Sequence, residues 1–194
     1  MKLKHFLSLL LACVLLQGCD VAKQVSGAYN LTQCKFDYNS ITNLQLAGMD
    51  LSKGVNAMQL LQLTPLLTGQ ASSVPLHFNL NLDITNPNQS AAFLQGLQYI
   101  LQIDGVQFTT GSINQALNIA AGGKQQLPLT IGFDLATLLK GDSKDAVVNV
   151  VKNIVGVNDQ QSQITLQLRP NIKVGDYTIP SPVYLPVSFA FGGK

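Results

Sequence analysis

The chain has 194 residues, of which 46% are hydrophobic and 11% charged, with a formal net charge of +2. A chain of this length fits one domain and is long enough for a single good core. The sparse, scattered charges leave no electrostatic footprint for nucleic acid or for anionic lipid.

Residues 1–18 read as a targeting segment to be set aside before fold reasoning. Lys2 and Lys4 form a charged start, and Phe6 to Leu16 is a short apolar core. This run falls well below the roughly 20 residues of a membrane span. Leu16-Gln17-Gly18-Cys19 resembles the bacterial lipoprotein cleavage box, although Gln17 is unusual at its place. Cleavage before Cys19 would leave that cysteine carrying thioether-linked lipid and an acyl chain. Two or more such chains anchor stably where one does not. Without Lys2 and Lys4, ten of the twelve basic residues remain against ten aspartates; there is no glutamate, and the processed chain is neutral. Cys13 leaves with the leader, so Cys34 has no partner for an internal disulfide and reads as a small buried hydrophobe rather than a redox or dimer-forming thiol.

Asp20 to Gln33 is polar and without period, which reads as a tether; residues 19–34 are assigned to it and 35–194 to a single domain. Lys35 to Leu51 carries Phe36, Tyr38, Leu44 and Leu46, a first strand or bent pair of strands ending near Gly48. Val55 to Leu67 is leucine-rich at helical spacing through Met58 and Leu61, with Pro65 ending or kinking the helix. From Leu76 to Ile84 the alternation is unbroken: Leu76, Phe78, Leu80, Leu82 and Ile84 share one face, and His77, Asn79, Asn81 and Asp83 the other. Asn86-Pro87-Asn88 stops that strand. Leu97, Tyr99, Leu101 and Ile103 form a second alternation, reversed at Asp104-Gly105 into Val106-Gln107-Phe108. Leu117 and Ile119 precede a Gly122-Gly123 turn, and Leu127, Leu129, Ile131 and Phe133 follow it at period two. Beyond Leu135–Leu139, Gly141-Asp142-Ser143 offers a helix cap. Val147, Val150, Val151, Ile154 and Val155 then make one helical stripe, stopped by Gly156. Period two returns at Ile164, Leu166 and Leu168, Gly175-Asp176 turns the chain, and a last strand runs from Val183 to Phe191. Pro180, Pro182 and Pro186 place this last strand at an edge or a bulge.

The order of Asn86-Pro87-Asn88, the stretch Leu94 to Val106, Gly122-Gly123-Lys124 and Leu127 to Ile131 resembles the type 2 late-embryogenesis-abundant proteins, whose unit is also called the water-stress and hypersensitive-response domain. The likeness is strongest between Asn79 and Phe133. It implies a fibronectin-III-like or immunoglobulin-like antiparallel β-sandwich, with one or two accessory helices, in agreement with the alternation. Its motifs are structural, and it implies no catalytic residues.

Nothing in the chain assembles a catalytic or metal-binding signature. His77 and Asp83 share a strand face but stand about 20 Å apart along it, and no Cys/His pair has zinc spacing. Gly122-Gly123-Lys124 lacks the remainder of a phosphate loop and reads as a turn. Asn30-Leu31-Thr32 and Asn88-Gln89-Ser90 match the glycosylation pattern by chance. The Val147–Val155 stripe reads as a core cover rather than a membrane-docking face, and Phe189 and Phe191 as core. The expected function is therefore a non-enzymatic, membrane-anchored envelope lipoprotein with a stress-protective or scaffolding role, needing no cofactor and no metal. The alternative is a module holding a lipid or another apolar ligand between its sheets, at a cavity opening on Tyr99, Phe108 or Phe133. Expected partners are the membrane, through lipid on Cys19, and an apolar ligand or envelope protein, with no nucleic acid. The expected place is the outer membrane facing the periplasm, with membrane and face both left open.

Overall fold

The computed structural model describes residues 22–68, 72–139, 143–174 and 176–193. The cleavage box, Cys19 and the Gly141-Asp142 pair lie outside the described residues. One sheet has the order β2(Met49–Asp50), β1(Lys35–Leu46), β3(Pro75–Thr85), β8(Lys124–Asp134). The second has the order β10(Tyr177–Pro180), β9(Ser162–Val174), β5(Leu97–Ile103), β6(Val106–Ile113), with β11(Leu185–Phe191) also pairing β9. A short ribbon of β4(Ala92–Leu94) and β7(Leu117–Ile119) stands at one end. Every strand pairing among the described residues is antiparallel. The fold is an antiparallel β-sandwich.

The alternation explains the core. Leu76, Phe78, Leu80, Leu82 and Ile84 of β3 are buried, as are Leu97, Tyr99, Leu101 and Ile103 of β5, Leu127, Leu129 and Ile131 of β8, and Ile164, Leu166 and Leu168 of β9. Both lateral edges are closed by aromatic pairs. Tyr38 of β1 stacks on Phe189 of β11 at 3.9 Å between ring centroids, and Phe108 of β6 meets Phe133 of β8 edge to face at 5.9 Å. The turn at Asp104-Gly105 has positive φ at both residues, 50° and 80°, the backbone twist that a two-residue hairpin needs.

Helix α4(Lys144–Ile154) covers the end opposite the β4–β7 ribbon, burying Ala146, Val147, Val150 and Val151. Its C-terminus closes with the Val157 N–H donating to the Lys152 carbonyl and the Gly156 N–H to that of Asn153, with Gly156 at φ 71°. Valine propensity is poor, so the buried face stabilises this helix.

Several elements differ from the sequence reading. Residues 22–32, read as tether, form a helix, α1. Its inward positions 24, 27, 28 and 31 follow a helical period hidden by their small or polar side chains. Between β2 and β3, the single helix expected over Val55–Leu67 is two short ones, α2(Ala57–Gln62) and α3(Thr64–Leu67), with Pro65 in the first turn of the second. Asn56 and Gln59 form a reciprocal capping box at the start of α2, and its apolar Met58 and Leu61 point outward while Leu63 at the joint is buried. Asn81 lies on the outer face of β3 yet is buried, because its amide donates to Ser40 and Thr42 where β1 bulges. The last strand starts at Leu185; Val183 precedes it and is exposed, and the unforeseen β10 forms a hairpin with β9.

Asp134 fastens the end of β8. Its carboxylate accepts hydrogen bonds from the Ser73 hydroxyl and from the backbone of Val74 and Ala136, capping the 3₁₀ turn Leu135–Leu138. Those hydrogen bonds, that of Ser73 foremost, hold its carboxyl below the ordinary 3.8. A depressed carboxylate adds stability that is complete above its ordinary value and lost as the pH falls through the lower folded value. Asp134→Ala is expected to cost about 1 kcal/mol at neutral pH in urea melts. The gap to wild type should close below pH 3.8; an unchanged gap in strong acid would contradict this account.

Candidate functional site

Asn86 directly follows β3 and is wholly buried. Its side-chain amide lies 3.0 Å from each of three carbonyls, those of Ser90, Ile119 and Ala120, while its own carbonyl oxygen accepts from the Asn88 backbone and side chain. The Asn88 amide donates on to the Asn30 carbonyl at 2.9 Å, and the Asn30 amide donates back to Ser90 Oγ and to the Ala91 carbonyl. This loop thus joins the end of β3, the β4–β7 ribbon and α1. Both asparagines of the two glycosylation-like triplets have their amide nitrogens engaged here.

Helix α1 docks through Gly27, where a Cβ would overlap the ring of Phe93 in β4. Ala28 and Leu31 are buried beside it. Between α1 and the ribbon lies a cleft of about 340 Å³, lined by Ala28, Phe93, Leu94 and Leu117, with Gln24 and Lys173 at its polar margin. Lys173 belongs to β9 and pairs with Thr178 of β10, so the β9–β10 hairpin stands at this same end.

The candidate chemical groups do not meet. Cys34 is buried directly after α1, with its thiol 3.4 Å from the Asn30 carbonyl, and burial pushes it up to about 11. His77 is exposed near the opposite end of β3, paired with Gly132, whose missing side chain leaves room for the imidazole. Cys34 adjoins Lys35, which pairs with Thr85, eight residues along β3 from His77; the two stand about 27 Å apart by strand rise. Asp83 accepts from Asn39 and pairs with Lys124, each at 2.9 Å, so the lysine of the Gly122-Gly123-Lys124 turn serves the outer face of the sheet. Among the described residues no three His, Cys, Asp or Glu side chains are grouped to hold a metal.

Three further spaces bear on ligand binding. An open cleft of about 640 Å³ beside α4 is lined by Asp104, Asp145, Asn149, Lys152 and Asn158. Asp104 there accepts from Asn149 and the Gln163 N–H, while Asn149 and Asn153 donate to Ser162, so much of this polarity pins α4 to β9. A pocket where α4 meets the two sheets, walled by Phe78, Ile103, Val150, Ile164 and Phe191, is about 20 Å³. That holds about one water and no acyl chain. Tyr99 lines an open surface groove with Gly111 and Tyr184, while Phe108 and Phe133 face each other. The inter-sheet ligand cavity expected at these three residues is not found among the described residues.

Residues 81–183, just over half the chain, match the family model described as late embryogenesis abundant protein, LEA_2. The chain belongs to this family. The match begins at Asn81 and takes in the Asn86 knot, the β4–β7 ribbon, α4 and the β9–β10 hairpin. No curated protein matches the chain. Among solved structures, a protein from Archaeoglobus fulgidus is similar at 13% identity and a TM-score of 0.40, covering 81% of this chain and 98% of its own. A solution structure of a candidate late embryogenesis abundant protein is similar at 14% identity and a TM-score of 0.39, covering 93% of this chain and 88% of its own. A protein of Arabidopsis thaliana is similar at 14% identity and a TM-score of 0.35, covering 81% of this chain and 78% of its own.

Sequence reasoning read Asn86-Pro87-Asn88 as a strand stop and a family motif and Asn30 as part of a chance glycosylation triplet, and it missed Gly27 and Lys173. The signal available was the spacing of Gln24, Gly27, Ala28 and Leu31. The thiol gives a direct check. With its proton held up to about 11, Cys34 is on the order of a thousandth ionised at pH 8. Alkylation at Cys34, followed by peptide mapping, is expected to run at least about a hundredfold slower in the native chain than in urea. Equal rates would mean the thiol is open to solvent.

Proposed function

We propose that this family member is a non-catalytic, lipid-anchored protein of the bacterial cell envelope that protects or scaffolds that layer during water loss. The family match over residues 81–183 carries the reading. The dispersal of His77, Cys34 and the aspartates supports its non-catalytic part, since acid, base and nucleophile must converge on one substrate. The Leu16-Gln17-Gly18-Cys19 box supports anchoring through Cys19, with the outer membrane facing the periplasm as the place. In this reading the sandwich is a rigid body, and its surface rather than a pocket does the work.

Survival after drying and rehydration tests it, comparing cells that make the chain with cells that lack it. Wild type and the double variant His77→Ala, Cys34→Ser are expected to protect equally, whereas Cys19→Ala should leave the detergent phase and protect less. Equal survival without the chain would overturn the protective role. Loss of protection in a double variant that still melts like wild type would overturn the non-catalytic one.

A further inference from the structure

We propose that the α1 and β9–β10 end of the sandwich lies directly against the lipid bilayer, with Val25, Tyr29, Tyr177 and Ile179 at the headgroup boundary. The inference rests on the anchoring of Cys19 and adds to it an orientation and a contact surface. Val25 is 49% exposed, Tyr29 66%, Tyr177 77% and Ile179 50%. On a single monomer surface such large apolar side chains are ordinary when scattered and informative when gathered. Val25 and Tyr29 are four apart on α1, on the face opposite Gly27, Ala28 and Leu31. Tyr177 and Ile179 share one face of β10, two residues apart.

Topology brings these two pairs to one end. Gln24 of α1 and Lys173 of β9 line a single cleft, and Lys173 pairs with Thr178, which sets the β9–β10 hairpin at this end with Tyr177 and Ile179 on the hairpin face turned away from Lys173. Val183 and Tyr184, also exposed, follow the same hairpin. The other exposed apolar residues, Met58 and Leu61 of α2 and Val157 after α4, belong to the elements at the far end of β1 and β3. Four residues lie between Cys19 and Gln24, and an extended chain covers those five steps in about 18 Å at most. Lipid on Cys19 therefore holds this end, and not the other, within reach of the bilayer. Tyrosine suits that depth, with its ring in the acyl boundary and its hydroxyl among headgroups. An anchored surface needs little affinity of its own, because tethering has already raised the local concentration of lipid.

The test uses the full acylated chain reconstituted in phosphatidylethanolamine–phosphatidylglycerol vesicles. Single variants Val25→Cys, Ile179→Cys and Leu61→Cys are labelled with an environment-sensitive fluorophore; Cys34 is buried and Cys19 acylated, so the label goes to the introduced thiol. The labels at 25 and 179 are expected to shift to the blue and to be quenched by nitroxide lipids, with the label at 61 unaffected. A blue shift without lipid quenching would mean a protein covers this face and would overturn the proposal, as would a label at 179 that reads water while the chain floats with the vesicles. A chain that fails to float would overturn the anchoring reading and this proposal together.

Discussion

A buried amide must find partners for both its donors and its acceptor, and Asn86 imposes that constraint on one whole end of this protein. Its side chain can be satisfied only if the Ser90 loop, the β4–β7 ribbon and Asn88 all sit in one arrangement. Asn88 then reaches Asn30 and so fixes where α1 ends. Each buried polar group left without a partner costs about 1–3 kcal/mol. A network of this kind therefore selects a single geometry more than it adds net stability.

That selected geometry separates the molecule into two ends with different character. At the far end, apolar burial does the work: Val147, Val150 and Val151 seal the sheets, and the Asn153–Ser162 bond sets the angle of α4. At the Asn86 end, the sheets are finished by hydrogen bonds, by a glycine contact with Phe93 and by a hairpin that projects apolar side chains outward. Aromatic pairs join the two sheets at both edges, and the pocket where α4 meets them has room for about one water.

The strands were legible in the sequence because burial on one face imposes period two, and Leu76 to Ile84 keeps that period without a break. The Asp104-Gly105 turn was legible for the same local reason, since few residue pairs accept two positive φ values. Helix α1 was not legible, because its inward face is built of Gln24, Gly27, Ala28 and Leu31, and only the last is conspicuously apolar. Its docking depends on the absence of a side chain at Gly27 and on a partner more than fifty residues away. Asn81 shows the complementary failure: period two places it outside correctly, but the bulged β1 supplies two hydroxyls that cover it. Of the candidate site residues, Cys34 was read as a buried hydrophobe and is buried. The real junction at Asn30, Asn86 and Asn88 lay in residues read as tether, turn and chance motif. Long-range hydrogen bonds leave no local period to read.

Helix α1 is hydrogen-bonded and packed into the fold, and the family's proposed protective work would then be done with α1 held against the sandwich. Hydrogen exchange over residues 22–32 tests this most directly, in wild type and in Asn88→Ala. Slow exchange is expected across α1 in wild type. In the variant that protection should fall selectively, while the amides of β3 and β8 stay protected. Exchange of residues 22–32 at the rate of an unstructured chain in wild type would contradict the account, since α1 would then be a tether after all.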